Sequence, residues 1–251
     1  MKKYKPAFSG FFIFKLYFII RIKKRKLKKN IIITGAGRGI GRATALLAAS
    51  QGNQVYAISR TIDGLKEIEN IQPFSVDLTN PEAITSFCKE LATRGILIDV
   101  LINNAGKLEN IPFKETAFDV FESVFKVNVF GLAELTRQLL PMINPKGHVV
   151  NISSMGGVQG SSKFPGLAAY SSSKGAVITL TELLAEEFKE TGPAFNALAF
   201  GAVQTEMLEE AFPGYLAPLT AAEMGSYLLN FALTGHQFYN GKVLPVSSGT
   251  P

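Results

Sequence analysis

With 251 residues, 47% of them hydrophobic and 18% charged, the chain has the balance of a globular protein with a sizeable core, not that of a disordered segment. A single cysteine, Cys88, excludes an internal disulfide or a thiolate metal cluster, and the two histidines, His148 and His236, are not spaced as ligands, so no metal site is expected. The net charge of +6 is uneven: residues 1–29 hold eleven Lys or Arg and no acid, whereas the rest hold fifteen basic against twenty acidic groups, so the body is mildly acidic and nucleic acid is not an expected partner.

The basic N-terminal extension carries an apolar run over residues 7–20, interrupted by Lys15. That run is shorter than the ~20 apolar residues a spanning helix needs. RIKKRKLKK follows it where a secretory signal would have a small-residue cleavage site. Three readings stand: a membrane-surface anchor with basic flanks, a weak signal-anchor, or a stretch outside the working protein. The last is favoured, with initiation near Leu27, and any membrane contact is expected only through residues 1–29.

After the extension, strands and helices alternate. The sequence predicts strands over residues 30–34, 54–59, 71–76, 97–102, 148–153, 194–200 and 242–246. It predicts helices over 40–51, 81–93 (with Pro81 in the first turn), 117–140 (stopping at Pro141), 168–190 and 221–233. In the fourth of these, Ala176, Leu180, Leu183, Leu184 and Phe188 fall on one apolar stripe. The alternation is that of an α/β fold with a parallel, doubly wound sheet covered on both faces. Such sheets take ligands at the carboxyl ends of their strands.

Chemistry-bearing residues cluster at those ends. The first strand runs into Thr34-Gly35-Ala36-Gly37-Arg38-Gly39-Ile40-Gly41. A turn lacking Cβ atoms at a helix N-terminus lets backbone N–H groups approach a pyrophosphate, although the same composition also serves simply to pack a helix on a strand. The second strand ends in Ser59-Arg60, with no acid before Asp63. A ribose 2′-hydroxyl asks for an acid here and a 2′-phosphate for a cation, so Ser59, Arg60 and, from the loop, Arg38 favour NADP(H) over NAD(H). Tyr170 and Lys174 are spaced i, i+4 and so share a helix face, where a cation lowers a phenol pKa. Ser153 and Ser154 end the fifth strand, Asn103-Asn104-Ala105-Gly106 follows the fourth, Asp77 follows the third, and Asn128 lies inside a long helix between two valines.

The ordered set TGAGRGIG, Asp77, NNAG, Asn128, NISS, YSSSK and GAVQT resembles the short-chain dehydrogenase/reductase family over about residues 30–248. The resemblance implies a single-domain Rossmann-type seven-stranded parallel sheet over residues 30–251, cytoplasmic, assembled as a homodimer or homotetramer through the helices at 117–140 and 168–190. It implies hydride transfer between NADP(H) and a small carbonyl or alcohol. Tyr170 would be the proton donor, Lys174 would lower its pKa and hold the nicotinamide ribose, Ser154 would bond the substrate oxygen, and Asn128 would hold a relay water. Gly35, Gly37, Arg38, Gly39, Ile40 and Gly41 would cradle the phosphates. Asp77 and Leu78 would flank the adenine, and Asn103, Ala105 and Gly106 would line the adenosine and ribose path. Gly201, Val203 and Thr205 would meet the nicotinamide end. Three places depart from the family pattern: Phe200-Gly201 where Pro-Gly is usual, a longer stretch between Ser154 and Tyr170, and the C-terminal SSGTP. The short segment between Thr205 and Thr220 predicts an open site taking a bulky substrate. Two other readings are a non-catalytic dinucleotide-binding sensor or scaffold and a membrane-surface reductase of a lipid-like ketone.

Overall fold

The computed structural model describes residues 28–247. The extension up to Leu27 and the last four residues, with the readings that rest on them, lie outside the described residues. The elements are β1 (Asn30–Thr34), α1 (Gly39–Ser50), β2 (Gln54–Ser59), β3 (Ile71–Ser75), α2 (Pro81–Thr93), β4 (Ile98–Asn103), α3 (Phe118–Phe125), α4 (Leu132–Leu139), β5 (Ile143–Ser154), α5 (Ala168–Glu187), β6 (Ala194–Phe200), β7 (Val203–Gln204), α6 (Glu206–Ala211), β8 (Leu219–Thr220), α7 (Ala221–Thr234) and β9 (Lys242–Val246). Seven strands form one parallel sheet in the order β3-β2-β1-β4-β5-β6-β9.

The three isoleucines of β1 show why the strands are apolar throughout. Ile31 and Ile33 enter one core, packed with Ala45 and Ala48 of α1 and with Met224, Leu228 and Leu229 of α7. Ile32 points the other way, into a second core with Ile84, Phe87 and Leu91 of α2 and Leu135 and Leu139 of α4. All three are fully buried. Each contributes about 1.5–3 kcal/mol of burial, so neither face tolerates a polar residue here. The order of connection reverses where β1 lies between β2 and β4, and a crevice opens there at the carboxyl ends.

The 117–140 helix is not continuous. Between α3 and α4 the chain widens into a π-helical segment, Lys126–Gly131, that contains Asn128. An inserted wide turn of this kind re-aims side chains and is frequent at functional sites. Gly131 permits it, because a Cβ there would run into the carbonyl oxygen of Leu78. Pro141 lies in a 3-10 turn, Leu140–Met142, not just past the helix end. β5 begins at Ile143, before the expected 148, because Ile143 pairs with Ile98 ahead of an irregularity in the register.

The apolar stripe expected to bury α5 does not do so alone. Its buried face is Ala169, Ser173, Lys174, Val177, Thr181 and Ala185, whereas Leu183 is 61% exposed. Small and polar residues win that face because it carries hydrogen bonds into the sheet. The short segment after Thr205 holds α6 and ends in β8, which pairs with β7 just before Thr205, a lid that strand and helix patterns were too brief to announce. α7 opens with a reciprocal cap between Thr220 and Glu223. Among the described residues no helix is long and apolar enough to cross a membrane.

Candidate active site

Tyr170 and Lys174 project from the first turns of α5 toward the end of β5. The Lys174 ammonium is buried, donates to the Ile152 carbonyl oxygen at 2.8 Å and lies 5.7 Å from the Tyr170 ring centre. Burial pushes its pKa down to about 8. Burial also pushes the Tyr170 phenol up to about 12, with the Ser154 hydroxyl bond pulling the other way. This corrects the expectation of a phenol acidified by its neighbour: the ammonium is engaged by Ile152, and desolvation dominates.

The two serines separate cleanly. Ser153 is buried and donates to the Lys174 carbonyl oxygen at 2.8 Å, stitching α5 to β5. Ser154 Oγ accepts from the Gly156 N–H at 3.2 Å and reaches the Tyr170 oxygen, so it is the serine of the cleft.

Asn128 is fully buried, and both donors of its side-chain amide are used. Nδ2 donates to the Lys107 carbonyl oxygen and to Ser173 Oγ, both at 2.9 Å, and Oδ1 accepts from the Lys107 N–H at 2.7 Å. The amide is thus a strut between the loop after β4 and α5, and its side chain has no donor left for a relay water.

At the other end of the crevice, Gly35 turns at φ +67°, and a Cβ there would lie 2.8 Å from the Ala105 Cα. A Cβ on Gly41 would strike the Gly35 carbonyl oxygen. The loop therefore packs directly on the end of β4 with its backbone bare. Thr34 Oγ1 accepts from the N–H groups of Asn104 and Ala105, and Asn104 Nδ2 donates to the Thr34 carbonyl oxygen, each at 2.9–3.0 Å. Thr34 and Asn104 were not among the expected site residues; their only signal was their place at two adjacent strand ends. Asn103 is corrected: it lies under the sheet, donating to Thr136 Oγ1 and Asn151 Oδ1 at 3.0 and 2.8 Å, away from any ribose path. Gly106 remains in the cleft. A Cβ there would sit 3.4 Å from Lys174 Nζ and 3.6 Å from Asn128 Oδ1, so its absence leaves room beside the ammonium.

Arg38 is also corrected. Its guanidinium does not turn toward Ser59 and Arg60 but forms a two-point pair with Glu210 of α6, one arm at 3.0 Å. Ser59 lies beneath Gly37, and Arg60 is exposed at the strand end. The Asp77 carboxyl is held below its ordinary pKa by the Thr79 N–H first and also by the positive field of Arg60, so these two ends of the crevice are within electrostatic reach. Ile40 packs against the core of α1 and α7, Leu78 backs onto Gly131, and Val203 is buried. Thr205 caps α6 through Leu208 N–H with its methyl facing Gly39, and Gly201 abuts Ser247.

A family model described as short chain dehydrogenase matches residues 29–215. The 3-oxoacyl-(acyl-carrier-protein) reductase FabG of Thermotoga maritima is 34% identical over 192 residues, which are 72% of this chain and 77% of that protein. Carbonyl reductase (NADPH) 2 of Sus scrofa is 38% identical over 164 residues, 62% of this chain and 64% of that one. Among solved structures, a 4-hydroxyisoleucine dehydrogenase complexed with NADH superposes with a TM-score of 0.80 at 28% identity, covering 88% of this chain and 98% of that one. With the family model matched over residues 29–215 and a relative 34% identical over 72% of this chain, the chain belongs to the short-chain dehydrogenase family of oxidoreductases.

Proposed function

We propose that this protein interconverts a carbonyl and an alcohol by hydride transfer with NADP(H), with Tyr170 as the general acid and base. The observation that carries the reading is the Tyr170 hydroxyl, bonded to Ser154 at the carboxyl end of β5 with the Lys174 ammonium 5.7 Å from its ring centre. A bound reduced nicotinamide supplies the hydride to the carbonyl carbon. Tyr170 gives its proton to the carbonyl oxygen as the C–H bond forms, so the product is the alcohol. Ser154 Oγ, accepting from the Gly156 N–H and bonded to the Tyr170 oxygen, would donate its own hydrogen to the same carbonyl oxygen. Lys174 would hold the nicotinamide ribose, and the absence of a Cβ at Gly106 leaves room for it beside that ammonium.

The preference for NADP(H) rests on Ser59 and Arg60, with no carboxylate before Asp63. The porcine relative carries NADPH in its name, while the 4-hydroxyisoleucine dehydrogenase was solved with NADH. The substrate is a small organic carbonyl or alcohol, and reduction is the favoured direction. Exposed Phe118 and Phe130 on the α3–α4 side and Leu183 on α5 suit a homodimer or homotetramer built on these helices.

Fluorescence titration of the purified protein with NADPH and NADH, for wild type and Arg60→Ala, tests the reading. Tighter NADPH binding that weakens selectively in the variant supports it. Binding of neither nucleotide refutes it.

A further inference from the structure

The α6 lid presents two carboxylates to the glycine loop. Glu210 takes both arms of the Arg38 guanidinium. Glu206, one turn earlier and on the same helix face, lies near Gly39, whose absent Cβ would stand 3.5 Å from Glu206 Oε2. Glu206 also adds to the negative field on Arg38. A loop suited to phosphate groups thus faces a pair of protein anions carried on a short helix. α6 is tied down elsewhere by few bonds: its Thr205 cap, and Asn110 Nδ2 donating to the Ala211 carbonyl oxygen at 2.8 Å.

Resting on the NADP(H) reading, we infer that Glu210 is a specificity-determining residue, a resident counter-anion that a 2′-phosphate displaces from Arg38, so that phosphate binding and release of the α6 lid are one exchange. A nucleotide with a free 2′-hydroxyl offers Arg38 only the pyrophosphate that both cofactors carry, so it competes with Glu210 less and opens the Arg38–Glu210 pair less. The pair is solvent-exposed on both sides, with side-chain exposures of 51% and 61%, so the exchange is cheap and salt-sensitive. Selectivity for the phosphorylated cofactor is then set by a competition between Glu210 and the phosphate. Arg38 alone does not decide it.

The test is nucleotide binding to the full chain followed by fluorescence, for wild type, Glu210→Gln, Arg38→Ala and the double variant. Removing the carboxylate leaves Arg38 free, so Glu210→Gln tightens NADPH about fivefold while NADH changes less than twofold. In the Arg38→Ala background the same substitution has no effect on NADPH. Hydrogen exchange at residues 206–211 gives a second readout: without nucleotide it is faster in Arg38→Ala than in wild type, and in wild type it accelerates more on adding NADPH than on adding NADH. Equal tightening of both nucleotides, or an unchanged NADPH-to-NADH ratio in Glu210→Gln, overturns the inference while leaving the proposed function standing. Failure of wild type to bind either nucleotide overturns both.

Discussion

Lys174 is bonded at both ends of its residue to β5: Nζ donates to the Ile152 carbonyl oxygen, and its own carbonyl oxygen accepts from Ser153 Oγ, each at 2.8 Å. The helix that carries Tyr170 is therefore fixed to the strand that carries Ser154, and catalytic tests can be read without fear that the two drift apart.

Tyr170→Phe keeps the ring and its packing and removes the transferable proton. Turnover of any carbonyl substrate should fall by about 10²–10⁴-fold, the usual worth of a positioned acid. NADPH affinity should stay within twofold, measured by fluorescence. A variant that retains more than a tenth of wild-type turnover would move the proton donor elsewhere.

The Lys174 ammonium, pushed down to about 8, sets an alkaline limit. Below that pH the cation is present; above it the charge is lost. Log kcat/KM should fall with unit slope above about pH 8, and Lys174→Arg, charged throughout the range, should remove that inflexion. A profile flat to pH 10 in wild type would show that the cation plays no part in proton transfer.

Gly106→Ala probes the room beside Lys174. The added methyl meets only the ends of two side chains at 3.4 and 3.6 Å, so the melting temperature should move by no more than a few degrees. It occupies ribose space, however, so affinity for both NADPH and NADH should drop roughly tenfold, equivalent to ~1.4 kcal/mol. Unchanged affinity would place the ribose elsewhere.

Asn128→Ala removes the strut and leaves the Lys107 N–H and carbonyl without partners. The expected cost is about 2–4 kcal/mol, seen as a melting temperature lower by roughly 5–10 °C. Asn128→Asp should not rescue it, since a carboxylate cannot donate to the Lys107 carbonyl oxygen.

Far from the cleft, His148 is fully buried, with Nδ1 at the Ala232 carbonyl oxygen and Nε2 beside Asn196 Nδ2. Burial first, and the nearby His236 as well, hold its pKa down at about 4. A histidine with a lowered folded pKa contributes full stability above the unfolded value near 6.5, and that stability is lost as pH falls toward 4. The loss over this window is on the order of 3 kcal/mol. Urea midpoints of wild type should fall from pH 6.5 to 4 more steeply than those of His148→Gln; parallel slopes would contradict the assignment.

Much of this was legible in the chain because strands buried on two faces must be apolar at every position, as in Ile31-Ile32-Ile33, and because YSSSK places two reactive groups on one helix face by spacing alone. Of the two adjacent serines, Ser154 lies beside the Tyr170 oxygen and Ser153 is taken up by the Lys174 carbonyl oxygen. What stayed hidden depends on long-range pairing. Nothing local to Arg38 announces Glu210, which lies 172 residues away. The π-helical turn at Asn128 has no sequence period of its own. Asn103 and Asn104 are adjacent and chemically identical, and only the pleat sends one under the sheet and the other into the cleft. The phenol of Tyr170 depends on how much water the finished fold excludes, which an i, i+4 count does not contain.

The two attachments differ in kind. Tyr170 and Ser154 sit on elements stitched through the centre of the sheet, whereas α6 is tied to the loop by an exposed ion pair and to Asn110 by one hydrogen bond. Heating should therefore take the molecule apart in order. The lid loosens first, and nucleotide selectivity drifts while the proton-transfer pair is still assembled. Catalytic competence then ends only with the cooperative loss of the sheet itself.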